Sequence, residues 1–151
     1  MLEFTSIMPR IVSRRLRASL TRHNAAETQE AEVARLASRS AYARYSTFRV
    51  GAVVIDQAGR CYPGMNIENA AYPLGVCAER IALLRWRAAA GSAIRRVVIF
   101  TPTRRTTSPC GLCRHALLHW AGRADLVLVA RSEARWIRVC DLLDPDVAGM
   151  T

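Results

Sequence analysis

The sequence predicts an α/β domain in which helices cover both faces of a mixed β-sheet. Helical and strand patterns alternate along the chain in the order α-β-β-α-β-α-β-β, and such alternation is typical of layered α/β folds. The first two strand patterns are adjacent, which favours an antiparallel hairpin within the sheet. The chain has 151 residues, a length that fits one domain because domains usually have about 100–200 residues.

Three segments have helical patterns. In residues 27–42, apolar side chains recur at the spacing of an amphipathic helix. Residues 77–90 are rich in Ala, Leu, Arg and Glu and are followed by Gly91, and residues 111–120 are followed by Gly122. A glycine directly after a helical pattern is a common stop signal, so we expect both of these helices to end there.

The strand patterns are short, apolar and rich in β-branched residues. The first two are separated by a turn at residues 56–59, so they form the predicted hairpin. The five predicted strands are residues 48–55, 60–65, 97–101, 126–130 and 136–139.

The composition is that of a globular protein, with a strong excess of positive charge. The formal net charge is +10, and all 22 basic residues are arginines. A basic chain can bind nucleic acid, but these arginines are scattered and form no stripe interleaved with aromatic residues. A dedicated nucleic-acid surface is therefore not favoured. No apolar run approaches the length of about 20 residues that a membrane-spanning helix needs.

Residues 1–25 differ from the rest of the chain, since they contain five arginines and one acidic residue, Glu3. An Arg-rich, Ser-containing and acid-poor segment is compatible with a mitochondrial-type targeting segment. The favoured alternatives are a disordered or helical basic extension, or a start of the protein at Met8.

The chain has five cysteines, and an odd number without a recognisable signal peptide argues against a disulfide framework. Cys77, Cys110 and Cys113 lie where a loop or strand leads into a predicted helix, and helix N-termini favour thiolates. Three thiolates suit Zn²⁺ and leave a fourth coordination position open for water, as in catalytic sites. Glu79 follows Cys77 by two residues and is our candidate for moving protons.

The alternative is a closed structural zinc site, which requires a fourth ligand. Cys61, Cys140, His115 and His119 are the candidates. The two cysteines are better interpreted as small apolar residues, and the two histidines belong to no further ligand motif.

Three segments carry a resemblance to a known family. Residues 66–80 read NIENAAYPLGVCAER, residues 42–51 read YARYSTFRVG, and residues 108–114 read SPCGLCR. Together they resemble the small cytidine deaminases of pyrimidine salvage over most of the chain, from about residue 27 to residue 143. The Cys-x-Glu and Pro-Cys-x-x-Cys pair is also the general signature of zinc deaminases.

The resemblance implies a role for each matching residue. Asn66 and Glu68 are expected to bind the ribose 3′-hydroxyl, Phe48 to form an aromatic wall against the pyrimidine, and the backbone of Ala78 to contact the base carbonyl. Arg80 is expected to offset the net charge of −1 that three thiolates leave on one Zn²⁺.

The resemblance also implies the reaction, the fold and the assembly. Glu79 would transfer a proton from water to ring N3 and then a proton to the departing amine, which converts cytidine to uridine and ammonia. The implied fold is a three-layer α/β/α domain with a mixed five-stranded sheet, spanning residues 26–151. The expected protein is cytoplasmic, acts on a small nucleoside, does not enter a membrane and forms a homotetramer, with a dimer as the alternative.

Several positions depart from the family pattern. Arg44 and Arg49 stand where the family usually has proline, and His115 replaces a glutamine. Residues 144–147 lack an aromatic residue that often reaches the site of a neighbouring subunit. These changes leave open a modified cytosine nucleoside, such as a blasticidin-type antibiotic or an N4-substituted cytidine, as the substrate.

Overall fold

The computed structural model describes residues 28–143. The basic extension expected at residues 1–25 and the C-terminal residues 144–147 lie outside this range. Within it, no helix is long and apolar enough to cross a membrane.

Three α-helices have the predicted positions. The first begins after Thr28, whose side chain accepts a hydrogen bond of 3.0 Å from the N–H of Ala31, a common way to satisfy a free helix N–H group. The helices are α1 (Gln29–Arg39), α2 (Ala78–Ala88) and α3 (Gly111–Ala121).

Five strands form one mixed sheet with the order β2-β1-β3-β4-β5. The pair β3–β4 is parallel, and the pairs β1–β2, β1–β3 and β4–β5 are antiparallel. The predicted hairpin and the mixed five-stranded sheet are therefore confirmed. The strands are β1 (Gly51–Asp56), β2 (Cys61–Met65), β3 (Ile94–Phe100), β4 (Asp125–Val129) and β5 (Ala134–Arg138).

The sheet has an apolar core on each face, so the protein has three layers. In β1, Val53 and Ile55 pack with the buried alanines of α1, whereas Ala52 and Val54 face α2 and α3. All six residues of β1 are buried, because a central strand with helices on both sides exposes neither face.

Two boundaries differ from the sequence-based expectation. Phe48 lies in the loop before β1, since the backbone of residues 48–50 bonds to the Asn66 side chain. Helix α2 ends at Ala88, two residues before the predicted end, and Ala90 in the turn that follows has a positive φ of 46°. Gly91 is required for packing, because a Cβ there would lie 2.1 Å from the Trp86 ring.

Candidate metal centre and active site

The three cysteines of the motif lie at the N-termini of two neighbouring helices. Cys77 is the N-cap residue of α2, Cys110 is the N-cap residue of α3, and Cys113 lies in the first turn of α3. Helix N-termini carry a partial positive charge that stabilises thiolates. The local structure thus agrees with the prediction that each cysteine stands where a helix begins.

The sulfur atoms of these cysteines form a cluster of the size that a zinc ion needs. All three ligand atoms lie within 4.8 Å of one another, and the Sγ atoms of Cys77 and Cys110 are 3.8 Å apart. A tetrahedral ion with Zn–S bonds of about 2.3 Å separates two sulfur ligands by about 3.8 Å. The separation of the Cys77 and Cys110 sulfur atoms therefore fits two ligands of one zinc ion.

Mutual hydrogen bonding makes one of these thiols strongly acidic. The pKa of Cys77 is lowered to about 5, chiefly because Cys113 donates to its sulfur; a hydrogen bond from Cys110 and the charge of Arg80 add to this effect and outweigh burial. The pKa of Cys113 is raised for the complementary reason, since it is the donor to Cys77 and is itself buried. The cluster thus favours the thiolate form of Cys77.

Glu79 lies in the first turn of α2 and is 5% exposed. Burial raises its pKa to about 7, with a further contribution from the negative charge of Cys77, although hydrogen bonds to the carboxylate and the charge of Arg80 oppose this. A carboxyl group whose pKa is near neutrality can both accept and return a proton.

A glycine of β2 sets how closely α2 approaches the sheet. A Cβ atom at Gly64 would lie 2.3 Å from the carbonyl oxygen of Ala78 and 2.5 Å from the N–H nitrogen of Ala82. Only a residue without a side chain allows this approach. Gly64 therefore positions the N-terminus of α2, with Cys77 and Glu79, relative to the sheet.

Arg80 is held beside the cysteines by the backbone that precedes α2. Its Nη2 donates to the carbonyl of Gly75 at 3.0 Å. Its buried Nε has no hydrogen-bond partner within residues 28–143. A half-buried guanidinium with a free N–H donor is suited to a position beside negatively charged thiolates.

Asn66 and Glu68 both bond to the loop that contains Phe48. The Asn66 side chain accepts from the N–H of Val50 at 2.7 Å and donates to the carbonyl of Phe48 at 2.9 Å. The Glu68 carboxylate accepts from the N–H groups of Tyr45 and Ser46 and from the Ser46 hydroxyl. The structure thus brings the three predicted substrate-binding residues together.

The same segment is joined directly to the metal centre. Ile67 and Val76 exchange two backbone hydrogen bonds of 2.9 Å, and Val76 immediately precedes Cys77. Ala78, the fourth predicted substrate contact, is the first residue of α2, where backbone N–H groups lack intrahelical acceptors. All the predicted site residues therefore belong to one connected region.

The alternative of a closed, four-ligand zinc site gains no support. In the part of the chain that the structure describes, the only group of three or more metal-ligating side chains is the cysteine cluster, with Cys61, Cys140, His115 and His119 outside it. The geometry is that of an open site, with three protein ligands and a carboxylate alongside.

The fold and this site define a class: α/β proteins with a three-cysteine cluster at two helix N-termini and an adjacent buried carboxylate. Residues 26–130 match the model of the cytidine and deoxycytidylate deaminase zinc-binding region. The chain belongs to this family, and the metal in the family's description is zinc.

The sequence is similar to several cytidine deaminases. It is 38% identical to that of Halalkalibacterium halodurans over 81 residues, which is 54% of this chain and 61% of the relative. It is 33% identical to that of Mycobacterium tuberculosis over 114 residues, which is 76% of this chain and 83% of the relative. Several matches, including the first, thus span less than two thirds of the relative's length.

Solved structures are similar over a larger part of the chain. The cytidine deaminase from Burkholderia pseudomallei superposes with a TM-score of 0.74 at 32% identity, covering 83% of this chain and 98% of that one. The cytidine deaminase from Mycobacterium tuberculosis gives a TM-score of 0.63 at 31% identity, covering 76% and 90%. The three-layer fold is thus confirmed.

Two features of the site were not predicted from the sequence. Ser46 contacts Glu68, and Thr47 adopts a positive φ of 57°, which is rare for a β-branched residue. The position of Ser46 two residues before Phe48 was visible in the Tyr-Ser-x-Phe segment, but its partner, 22 residues away, was not.

Proposed function

We propose that this chain catalyses the hydrolytic deamination of cytidine and 2′-deoxycytidine to uridine and 2′-deoxyuridine, with release of ammonia. The observation that carries the proposal is the placement of Glu79. It is a buried carboxylate in the first turn of the helix that begins at Cys77, next to an open three-cysteine cluster.

Cys77, Cys110 and Cys113 hold the zinc ion in this proposal. Bound zinc supplies Lewis acidity, which lowers the pKa of a water molecule so that it becomes a nucleophile at neutral pH. Arg80 offsets the surplus negative charge of the three thiolates, since its guanidinium lowers the pKa of Cys77.

Glu79 moves the protons. Its carboxylate accepts a proton from the attacking water and delivers it to ring N3, while the oxygen adds to carbon 4 of the pyrimidine. The same carboxyl group then takes the remaining hydroxyl proton and passes it to the amine, which leaves as ammonia. A pKa near 7 suits both steps, and burial keeps bulk water from competing for the proton.

The nucleoside is bound by residues on the neighbouring loop. Phe48 packs against the pyrimidine, Asn66 and Glu68 contact the ribose 3′-hydroxyl, and the backbone of Ala78 contacts the base carbonyl. The hydrogen bonds of Asn66 to the backbone of Phe48 and Val50 support this assignment, because they hold the loop that carries Phe48 beside Asn66.

The proposal also includes the domain bounds, the assembly and the location of the protein. Residues 26–151 form the catalytic domain, and residues 1–25 are a basic extension. A homotetramer is supported by large exposed apolar side chains on α2 and α3, which are Leu84, Leu112 and Trp120. A cytoplasmic location is supported by the thiols of all five cysteines, none of which forms a disulfide.

A modified cytosine nucleoside is a less favoured substrate. One departure that motivated it has a structural explanation, because Arg49 donates to the carbonyl of Arg39 at the end of α1 and so caps that helix. Nucleic acid is likewise not favoured, since the family's description names a nucleoside and a nucleotide deaminase.

The test is a nucleoside panel with zinc-loaded protein. Loss of the cytosine absorbance and release of ammonia should be fast for cytidine and deoxycytidine and slower for cytosine in single-stranded DNA. N4-substituted cytidine, which would release the corresponding amine, should also react more slowly. Faster turnover of a modified nucleoside would replace the proposed substrate, and no turnover of any cytosine compound would refute the proposed activity.

A further inference from the structure

The carboxylate of Glu68 is almost fully occupied by the protein itself. One oxygen, Oε2, accepts from the N–H groups of Tyr45 at 2.8 Å and Ser46 at 3.2 Å. The other, Oε1, accepts from the hydroxyl of Ser46. A carboxylate offers about four acceptor positions. Three of them are filled by this loop, so one position on Oε1 remains for a donor from outside.

Ser46 connects this carboxylate to the backbone of Phe48. Its Oγ donates to Glu68 and also accepts from the N–H of Phe48 at 3.0 Å. One hydroxyl group thus joins the predicted sugar-binding residue to the residue predicted to contact the base. The pKa of Glu68 is lowered, chiefly by the Ser46 hydroxyl, which shows that the contact favours the ionised carboxylate.

The loop that presents Ser46 is exposed and strained. Ser46 and Thr47 are exposed, and Thr47 has a φ of 57°, a conformation that is unfavourable for a β-branched residue. Strained backbone of this kind persists where surrounding contacts hold it, and it is frequent at binding sites. Here Thr47 donates from its N–H to Ala43 at 3.1 Å, and Glu68 holds the preceding residue.

We propose that Ser46 is a positioning residue for substrate binding: its hydroxyl fixes Glu68 so that the last free acceptor of the carboxylate faces the ribose hydroxyl. The inference rests on the proposed nucleoside deamination. Without the Ser46 hydroxyl, Oε1 loses its partner and the carboxylate can rotate. Contact with the sugar then weakens, whereas Glu79 and the cysteines, which lie on other elements, keep their positions.

The effect should depend on the sugar hydroxyl. In Ser46→Ala, the KM for cytidine should rise about tenfold, since a lost hydrogen bond to a charged group has an effect of this order, and kcat should stay within about twofold. With 3′-deoxycytidine, which has no hydroxyl for Glu68, the same variant should change KM by less than about threefold.

The experiment compares kcat and KM for both nucleosides in the parent, Ser46→Ala, Ser46→Thr and the matched control Ser92→Ala. Ser46→Thr keeps a hydroxyl and should restore most of the affinity for cytidine. Ser92 accepts a hydrogen bond from Ala58 at the opposite end of β1, so its variant should resemble the parent. Urea unfolding checks that each variant is folded.

Equal rises in KM for both nucleosides would mean that Ser46 only stabilises the loop, and an unchanged KM for cytidine would mean that it does not act on Glu68; either result overturns the proposal. Dissociation constants in the Glu79→Gln background provide the same comparison without turnover. If the parent deaminates neither nucleoside, the proposed activity fails, and those binding data still decide the role of Ser46. Absence of any binding would overturn both.

Discussion

Substituting Gly64 by alanine should damage the metal centre from a distance. The new Cβ would lie 2.3 Å from the carbonyl oxygen of Ala78, whereas ordinary contacts are 3.4–4 Å. The neighbouring atoms belong to the backbone of α2, so no side chain can move aside. The N-terminus of α2 must therefore retreat from the sheet by about 1 Å, the difference between these distances.

A displacement of this size is large for a metal site. Metal–ligand distances are usually held within about 0.2 Å, and Cys77 would move relative to the two cysteines on α3. We expect Gly64→Ala to weaken zinc binding at least about tenfold and to lower the free energy of unfolding by about 1–3 kcal/mol, the usual cost of overpacking.

The matched control is Gly111→Ala, which adds the same methyl group between two of the ligands. A Cβ at Gly111 meets no atom within 4 Å, and Ala is a good helix former. Competition with a chromophoric zinc chelator gives the affinities, and urea unfolding gives the stabilities. If Gly64→Ala binds zinc as tightly as Gly111→Ala and the parent, the inferred coupling between β2 and the metal centre is wrong.

Further substitutions have defined outcomes. Cys113→Ser should reduce bound zinc well below one ion per chain, measured by atomic emission, whereas Cys140→Ser should retain it because Cys140 is outside the cluster. Ala90→Gly should raise the free energy of unfolding by about 0.5–1 kcal/mol, since it removes a non-glycine residue with φ 46°; an unchanged urea midpoint would contradict this. Asp56→Ala should cost about 2–3 kcal/mol at pH 7 by leaving the Tyr62 hydroxyl and the Ser92 N–H without their acceptor. Burial raises the pKa of Asp56, but its hydrogen bonds outweigh this effect and lower the pKa below 3.8. The parent's higher free energy of unfolding should therefore persist above pH 3.8 and disappear as the pH falls through the pKa of the folded state. A difference in stability that does not depend on pH would refute the ionised network.

The cysteine cluster and the fold were predictable because their signals are local. A cysteine at a helix start, a carboxylate two residues later and a second cysteine pair at another helix start are all visible in the sequence. The alternation of helical and strand segments along the chain likewise predicted a sheet covered by helices on both faces.

The contacts of the loop at residues 45–50 were not predictable from local signals. Glu68 and Ser46 are separated by 22 residues, and the backbone bridge between Tyr42 and Ile67 brings them together. The boundary at Phe48 was misjudged because the Asn66 side chain replaces a strand partner there. Helix α2 does end before Gly91, but the close approach of the Trp86 ring to that glycine leaves no pattern in the sequence.

In the proposed reaction, Glu79 moves protons beside a zinc ion held by three cysteines. Measurement of kcat for cytidine together with zinc content, in the parent and in Glu79→Gln, tests this role. We predict about one zinc per chain in both proteins and a loss of kcat of about 10²–10⁴-fold in the variant, the range typical of general acid–base catalysis. Retained activity with retained zinc would contradict the role of Glu79, and loss of zinc from the variant would show that this residue acts on the metal site itself.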